Sequence, residues 1–360
     1  MKLEAINQLF REHIQKLSPY QSAREEFVAD GRKMILLDAN ENPYETKVNR
    51  YPDPLQKELK SAIAEWRNVL PEQIFLGNGS DEIISQLIIA CCEPGKDHII
   101  INPPTFGMYA VAASIFGVAL EEVPLQLDTF RLDVDAILNR SNEHSKIIFI
   151  PTPNNPTANR FDKADLKAIL DGFKGFVIID EAYAEFSTDA SLISWLKEYP
   201  HLIVLQTFSK AQGLAGVRLG MAFAQSTVIQ ILNRIKAPYN INTLTLQKVL
   251  ERLKEQETVK RQVEQLLVEK KRLIEAIQPI RFVETIFPSD ANFFLIRVDD
   301  SQKRYNQFIE MGIVVRNPSK QLGCANSLRI SVGTPLENDT LIKAFNQLEK
   351  SEKKSSQSNF

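Results

Sequence analysis

The chain has 360 residues, 44% hydrophobic and 24% charged, with a formal net charge of −2 and no apolar run long enough to cross a membrane as a helix. That composition excludes a disordered chain, a fibrous repeat, and binding to nucleic acid or anionic lipid through bulk positive charge. Three cysteines without metal-ligand spacing predict neither a disulfide framework nor a metal site. The N-terminus lacks the apolar core of a secretory signal, so a cytoplasmic location is expected.

In chain order, residues 1–40 read as an N-terminal arm that alternates apolar residues with charges. Leu55, Leu59, Ala62, Ile63 and Trp66 share one helix face, and Ile83, Ile84, Leu87, Ile88 and Cys91 another. Cys91 and Cys92 read as packing residues. Four short apolar runs are predicted strands: 98–101, 146–150, 176–179 and 202–205. Their apolarity is continuous, not alternating, which means burial on both faces, as in a parallel sheet covered by helices. Beyond residue 240 the texture changes. A charged segment, 251–277, reads as one long helix. Strands are expected at 281–286, 292–298, 313–316 and 328–332, with a last helix near 337–349. The fold class is therefore α/β: a large domain at 41–240 with a mostly parallel sheet, then a small α+β domain at 241–350. The polar end, 351–360, is expected to be a disordered tail.

The chemistry concentrates at the carboxyl ends of the four predicted strands, where open α/β sheets bind ligands. Phe106 follows the first, Asn154 and Asn155 the second, Asp180 with Tyr183 the third, and Lys210 the fourth. Lys210 leads into a segment containing Gly213, Gly216, Arg218 and Gly220, a pattern with no helix-face logic. Pyridoxal 5′-phosphate asks for such a set. Its aldehyde needs a lysine, its ring nitrogen an acid, and its phosphate a helix start with hydroxyl or cationic groups. The segment 77–82, opening the helix that runs to Cys92, offers that start. It is neither a P-loop nor a dinucleotide fingerprint, because no Gly-Lys-Ser/Thr follows and Glu82 occupies the third glycine's place. His13, His98, His144 and His201 lie outside these motifs and read as structural or surface residues.

These segments resemble the fold-type I pyridoxal-phosphate-dependent aminotransferases over nearly the whole chain, from 18–24 to 328–333. The segment around Lys210 is specific for that superfamily. Residues 18–24, 40–43 and 49–52 resemble more narrowly the branch that acts on histidinol phosphate in histidine biosynthesis. The resemblance implies a seven-stranded, mostly parallel sheet and a set of roles. Lys210 would bind the aldehyde and shuttle a proton. Asp180 would pair with the ring nitrogen, and Asn155 and Tyr183 with the ring's phenolic oxygen. Phe106 would stack on the ring where relatives usually carry Tyr. Ser80, Asp81, Thr207, Ser209 and Arg218 would hold the phosphate, joined by Tyr51 from a neighbouring subunit of a homodimer. Arg329 would pair with the α-carboxylate of glutamate. Arg316 and Tyr20 would hold the substrate phosphate, with Asn292 also on the substrate side. Ala158 departs from the family's usual glycine, which should cost backbone freedom and not chemistry.

The implied reaction is ping-pong transamination between glutamate/2-oxoglutarate and histidinol phosphate. Three alternatives share the scaffold: an aromatic amino-acid aminotransferase, a threonine-phosphate decarboxylase, and a non-catalytic module that only binds the cofactor. Those modules usually carry a fused DNA-binding domain, and this sequence opens within the enzyme-like arm.

Overall fold

The computed structural model describes residues 3–20, 32 and 34–357. Strands β1 (Ile74–Asn78), β2 (His98–Ile101), β3 (Ala119–Glu122), β4 (Ser145–Pro151), β5 (Phe176–Asp180), β6 (Leu202–Thr207) and β7 (Leu219–Phe223) form one sheet in the order β1-β7-β6-β5-β4-β2-β3. All neighbours are parallel except at β7, which runs antiparallel to both β1 and β6. The central strands are apolar on both faces for a visible reason. Ile148, Ile150, Val177, Ile179 and Val204 enter one buried layer, and Ile147, Phe149, Phe176, Ile178 and Ile203 the other. Each such side chain contributes about 1.5–3 kcal/mol by leaving water. This two-sided core fixes the height of the strand ends: Asp180 lies level with Pro151 of β4 and Leu205 of β6.

The N-terminal segment is not a free arm throughout. Ile6, Phe10 and Ile14 are buried against the sheet's second layer, and Phe10 packs on Phe176 with ring centroids 5.1 Å apart. Cys91 and Cys92 lie in the same layer, so the packing expectation holds.

A second sheet, order β10-β9-β8, is antiparallel and comprises β8 (Val283–Ile286), β9 (Phe293–Val298) and β10 (Ser327–Ser331). Its core joins Leu273, Phe294, Phe308 and Phe345, drawn from the sheet and from helices Gln256–Ile277, Ser301–Glu310 and Pro335–Gln357. Several expectations are corrected here. The segment 313–316 is no strand: only Arg316 bridges to Arg329, while Val314 is exposed. The long helix is two helices, Thr243–Leu253 and Gln256–Ile277, broken where Arg252 turns its Nε onto the Gln212 carbonyl at 2.8 Å. Ile241 and Val249 pack into the larger sheet's core. The last helix continues through Gln357, beyond the expected end of order. Glu352 ties it down through Lys303 at 2.6 Å and the fully buried Arg304 at 2.7 Å. Among the described residues no helix is long and apolar enough to cross a membrane.

Candidate active site

The loops leaving β2, β4, β5 and β6 meet the start of helix Gly79–Cys91 around one cleft. At its floor lies Asp180, 4% exposed. Its Oδ1 accepts from the Ala182 N–H at 3.0 Å and its Oδ2 from the Tyr109 hydroxyl at 2.8 Å. No cation pairs with it among the described residues, and burial pushes its carboxyl above the ordinary range. The next residue, Glu181, points to the opposite face by strand alternation. There it accepts from Gln206 Nε2 at 2.8 Å and the Leu192 N–H at 2.7 Å, which locks the ends of β5 and β6 together behind the cleft.

Lys210 follows β6 in a turn closed by the Gly213 N–H on the Lys210 carbonyl at 2.9 Å. Its Nζ opens into the cleft with no hydrogen bond among the described residues, 5.4 Å from the centroid of the Tyr183 ring. Desolvation by the surrounding protein, then the nearby Arg329 guanidinium, hold its ammonium below the ordinary lysine value. Tyr183 packs edge-on against Phe293 of β9 at 5.0 Å, and burial raises its phenol to about 12, so the hydroxyl stays a donor. Asn155 sits opposite, its amide oxygen accepting from Arg329 Nη1 at 2.5 Å. Phe106 forms a wall, edge-on to Tyr109 at 5.5 Å.

The remaining wall is a cradle that two glycines permit. Gly79 has φ +74°, and a Cβ there would lie 2.5 Å from Arg218 Nη2. A Cβ on Gly220 would meet the Ser80 nitrogen at 2.4 Å, so β7 can approach the helix start only without a side chain. Into this corner come Ser80, Asp81, Thr207, Ser209 and Arg218. Arg218 Nη2 rests 3.3 Å from Asp81 Oδ2, and Thr207 Oγ1 accepts from the Ser209 N–H at 3.1 Å. A helix start, hydroxyls and a guanidinium make a place for phosphate.

Four predicted residues stand elsewhere. Tyr51 stacks on Tyr239, centroids 4.4 Å apart, in a separate cleft with Asn40 and Asn242. Tyr20 is 72% exposed, and residues 21–24 of its motif lie outside the described residues. Asn292 precedes β9 and its carbonyl accepts from the Val332 N–H at 2.9 Å, away from the cleft lining. Arg316 brackets Arg329 through reciprocal backbone bonds of 3.1 and 2.8 Å, and both line an adjoining cleft with Tyr305 and Asn317. Neither arginine has a carboxylate partner among the described residues. The sequence reading missed Tyr109. Its only signal is chemical: a tyrosine inside an apolar helix needs somewhere to send its O–H.

Pyridoxal phosphate fits these groups. A buried carboxylate without a cation suits a pyridinium, an unbonded lysine suits an aldehyde, and the glycine-lined helix start suits a phosphate. Fold and site thus define a pyridoxal-phosphate-dependent transferase. The model of the family "Aminotransferase class I and II" matches residues 32–345, and the chain belongs to that family. It is 48% identical over 344 residues to the histidinol-phosphate aminotransferase of Flavobacterium johnsoniae, covering 95% of this chain and 98% of that protein. Among solved structures, the histidinol-phosphate aminotransferase of Clostridium acetobutylicum superposes with TM-score 0.78 at 24% identity, covering 85% of this chain and 92% of that one. That of Sinorhizobium meliloti, in complex with pyridoxal-5′-phosphate, gives 0.77 at 21%, covering 85% and 84%.

Proposed function

We propose that this enzyme moves an amino group between glutamate and histidinol phosphate, the L-histidinol-phosphate:2-oxoglutarate exchange of histidine biosynthesis. The observation that carries this reading is the pair Arg316 and Arg329. Two guanidiniums without carboxylate partners sit side by side next to Lys210's cleft, and the two substrates bring a dicarboxylate and a phosphate ester. Near-full-length identity to the Flavobacterium enzyme supports the same choice.

Bound pyridoxal phosphate supplies the aldehyde that receives the amino group and a ring that spreads the charge left at the substrate's Cα. The protein's residues do the rest. Asp180 keeps the ring nitrogen protonated, and Asn155 and Tyr183 donate to the ring's phenolic oxygen. Phe106 covers one face of the ring. Ser80, Thr207, Ser209, Arg218 and the first N–H groups at Asp81 hold the phosphate. Lys210 Nζ would take the proton from the substrate's Cα and deliver it to the cofactor's C4′, a task that favours an amine whose burial has raised its neutral fraction. Arg329 takes the carboxylate of glutamate; Arg316 and Tyr20, with Asn292 nearby, serve the substrate's far end. Residues to Leu253 would form the cofactor-holding half and those from Gln256 the substrate half.

Tyr51 serves the partner's cofactor in a cytoplasmic homodimer. Its place outside its own chain's cleft, and the exposed apolar side chains Ile35, Leu37 and Tyr44 earlier in the same segment, support this. Mixed Lys210→Ala and Tyr51→Ala proteins should then regain part of the activity in hybrid dimers. The substrate assignment is tested by steady-state comparison of histidinol phosphate with phenylalanine, 2-oxoglutarate being the acceptor. A higher kcat/KM for histidinol phosphate is expected; a higher value for phenylalanine would make this an aromatic aminotransferase.

A further inference from the structure

Tyr109 belongs to none of the roles above, yet it touches two of the groups that carry them. It lies in helix Met108–Ile115, 0% exposed, with its ring stacked on Phe149 at 4.6 Å and 9°. Phe106 meets it edge-on at 85°, and its hydroxyl donates to Asp180 Oδ2 at 2.8 Å. Asp180's other oxygen is taken by the Ala182 N–H. Asp180 therefore has one backbone donor and one side-chain donor among the described residues, and the latter sits on the helix that follows the ring-covering Phe106. We propose that Tyr109 is a positioning residue for Asp180, its hydroxyl aiming the carboxylate at the cofactor's ring nitrogen and holding it in the charged form.

The physical argument concerns competition for one proton. A buried carboxylate without a cation is a strengthened base, and it would draw the proton off the ring nitrogen. Each hydrogen bond donated to it weakens that tendency. Burial raises Tyr109's own phenol well above its ordinary value, so it remains a donor at any working pH. Stacking on Phe149 fixes the ring, leaving the hydroxyl one direction to point. Removing only the oxygen, in Tyr109→Phe, keeps both aromatic contacts and deletes the donor.

This inference rests on Asp180 facing the ring nitrogen, and its test separates the two ideas. Dissociation constants are measured for pyridoxal phosphate and for its 1-deaza analogue, which has C–H in place of the ring nitrogen, with wild type, Tyr109→Phe, Asp180→Asn and the double variant. Tyr109→Phe should weaken pyridoxal phosphate roughly tenfold, the scale of one hydrogen bond to a charged group, and leave the analogue unchanged. In the Asp180→Asn background the same substitution should cost little, because no charge remains to be held. Steady-state kcat should fall with KM nearly constant for both substrates. Equal weakening of both ligands would make Tyr109 a packing residue and overturn the proposal, as would no weakening of either. Wild type binding both ligands equally would remove the Asp180 assignment itself, and the proposal with it.

Discussion

The groups on the larger sheet and those facing them from the smaller sheet are held by different physics. Asn155, Asp180 and Lys210 leave neighbouring parallel strands buried on both faces, with Glu181 and Gln206 bonded behind them. Arg316 and Arg329 sit near the edge of a three-stranded sheet, on β10 and on an irregular segment that pairs with it at one residue. The first set is fixed to serve one chemical step at one place. On the proposed reading, the second would serve both a carboxylate and a phosphate, because its members are long guanidinium side chains without carboxylate partners among the described residues. The proposed division thus puts chemistry on the rigid sheet and substrate choice on the edge that faces it.

Substitutions should divide along that line. Lys210→Ala should abolish both half-reactions while the melting temperature changes little, since the side chain opens into the cleft and makes only a ring contact, with Tyr183. A variant that keeps full turnover would break the comparison at its strongest point. Arg329→Ala should cost glutamate roughly 10- to 150-fold in kcat/KM and histidinol phosphate far less, because histidinol phosphate has no α-carboxylate. Arg316→Ala should hurt both, and Tyr20→Phe the phosphate substrate alone. Single-turnover rates for each half-reaction measure this directly, and equal losses for Arg329→Ala would assign that arginine to the fold.

A pH experiment probes the rigid side. His201, at the entry to β6, is 1% exposed; its Nε2 meets the Leu170 carbonyl at 3.0 Å, and burial pushes its ring down to about 4. Its folded value lies below the unfolded one, so the unfolded chain binds the extra proton between them. The stability this group contributes is whole above about pH 6.5 and is lost as pH falls toward 4, on the order of 2–3 kcal/mol. Urea midpoints across that range should fall less steeply for His201→Gln than for wild type. Parallel slopes would show that this histidine does not set the acid limit of the scaffold.

The smallest effect should come from the joint between the two regions. The Asp290 N–H donates to the Ala158 carbonyl at 2.8 Å and Asp290 Oδ2 accepts from the Arg160 N–H at 3.1 Å, bracing the loop that carries Asn155. Asp290→Ala should raise KM for both substrates roughly two- to tenfold with kcat nearly unchanged, and Asp290→Asn, which keeps an acceptor, should restore it. Loss in kcat alone would place this brace in the chemical step.

The same contrast explains what the sequence could reveal. Strands β2, β4, β5 and β6 were legible because burial on both faces demands unbroken apolar runs, and the residues just after them followed at once. β3, with its two glutamates at a sheet edge, and β1 and β7, each interrupted by glycine, offered no such run. The break at Lys254 and Glu255 carries no proline or glycine to mark it. The order of the last helix depends on Arg304, a buried partner far away in sequence, which no local pattern announces. Tyr109 was hidden for the same reason: its place in an apolar helix is visible, but its bond to Asp180 exists only once β5 and that helix are packed together. Tyr51 and Tyr20 were read from resemblance, and one chain does not bring them to the cleft.

Lys210 is the residue proposed to join the cofactor. Borohydride reduction of the pyridoxal-phosphate-loaded protein, followed by peptide mass spectrometry, tests it most directly. The phosphopyridoxyl group should be found on the peptide containing Lys210 and be lost from it when glutamate is added before the borohydride. A label on another lysine, or on Lys210 in equal amount with glutamate present, would contradict the account.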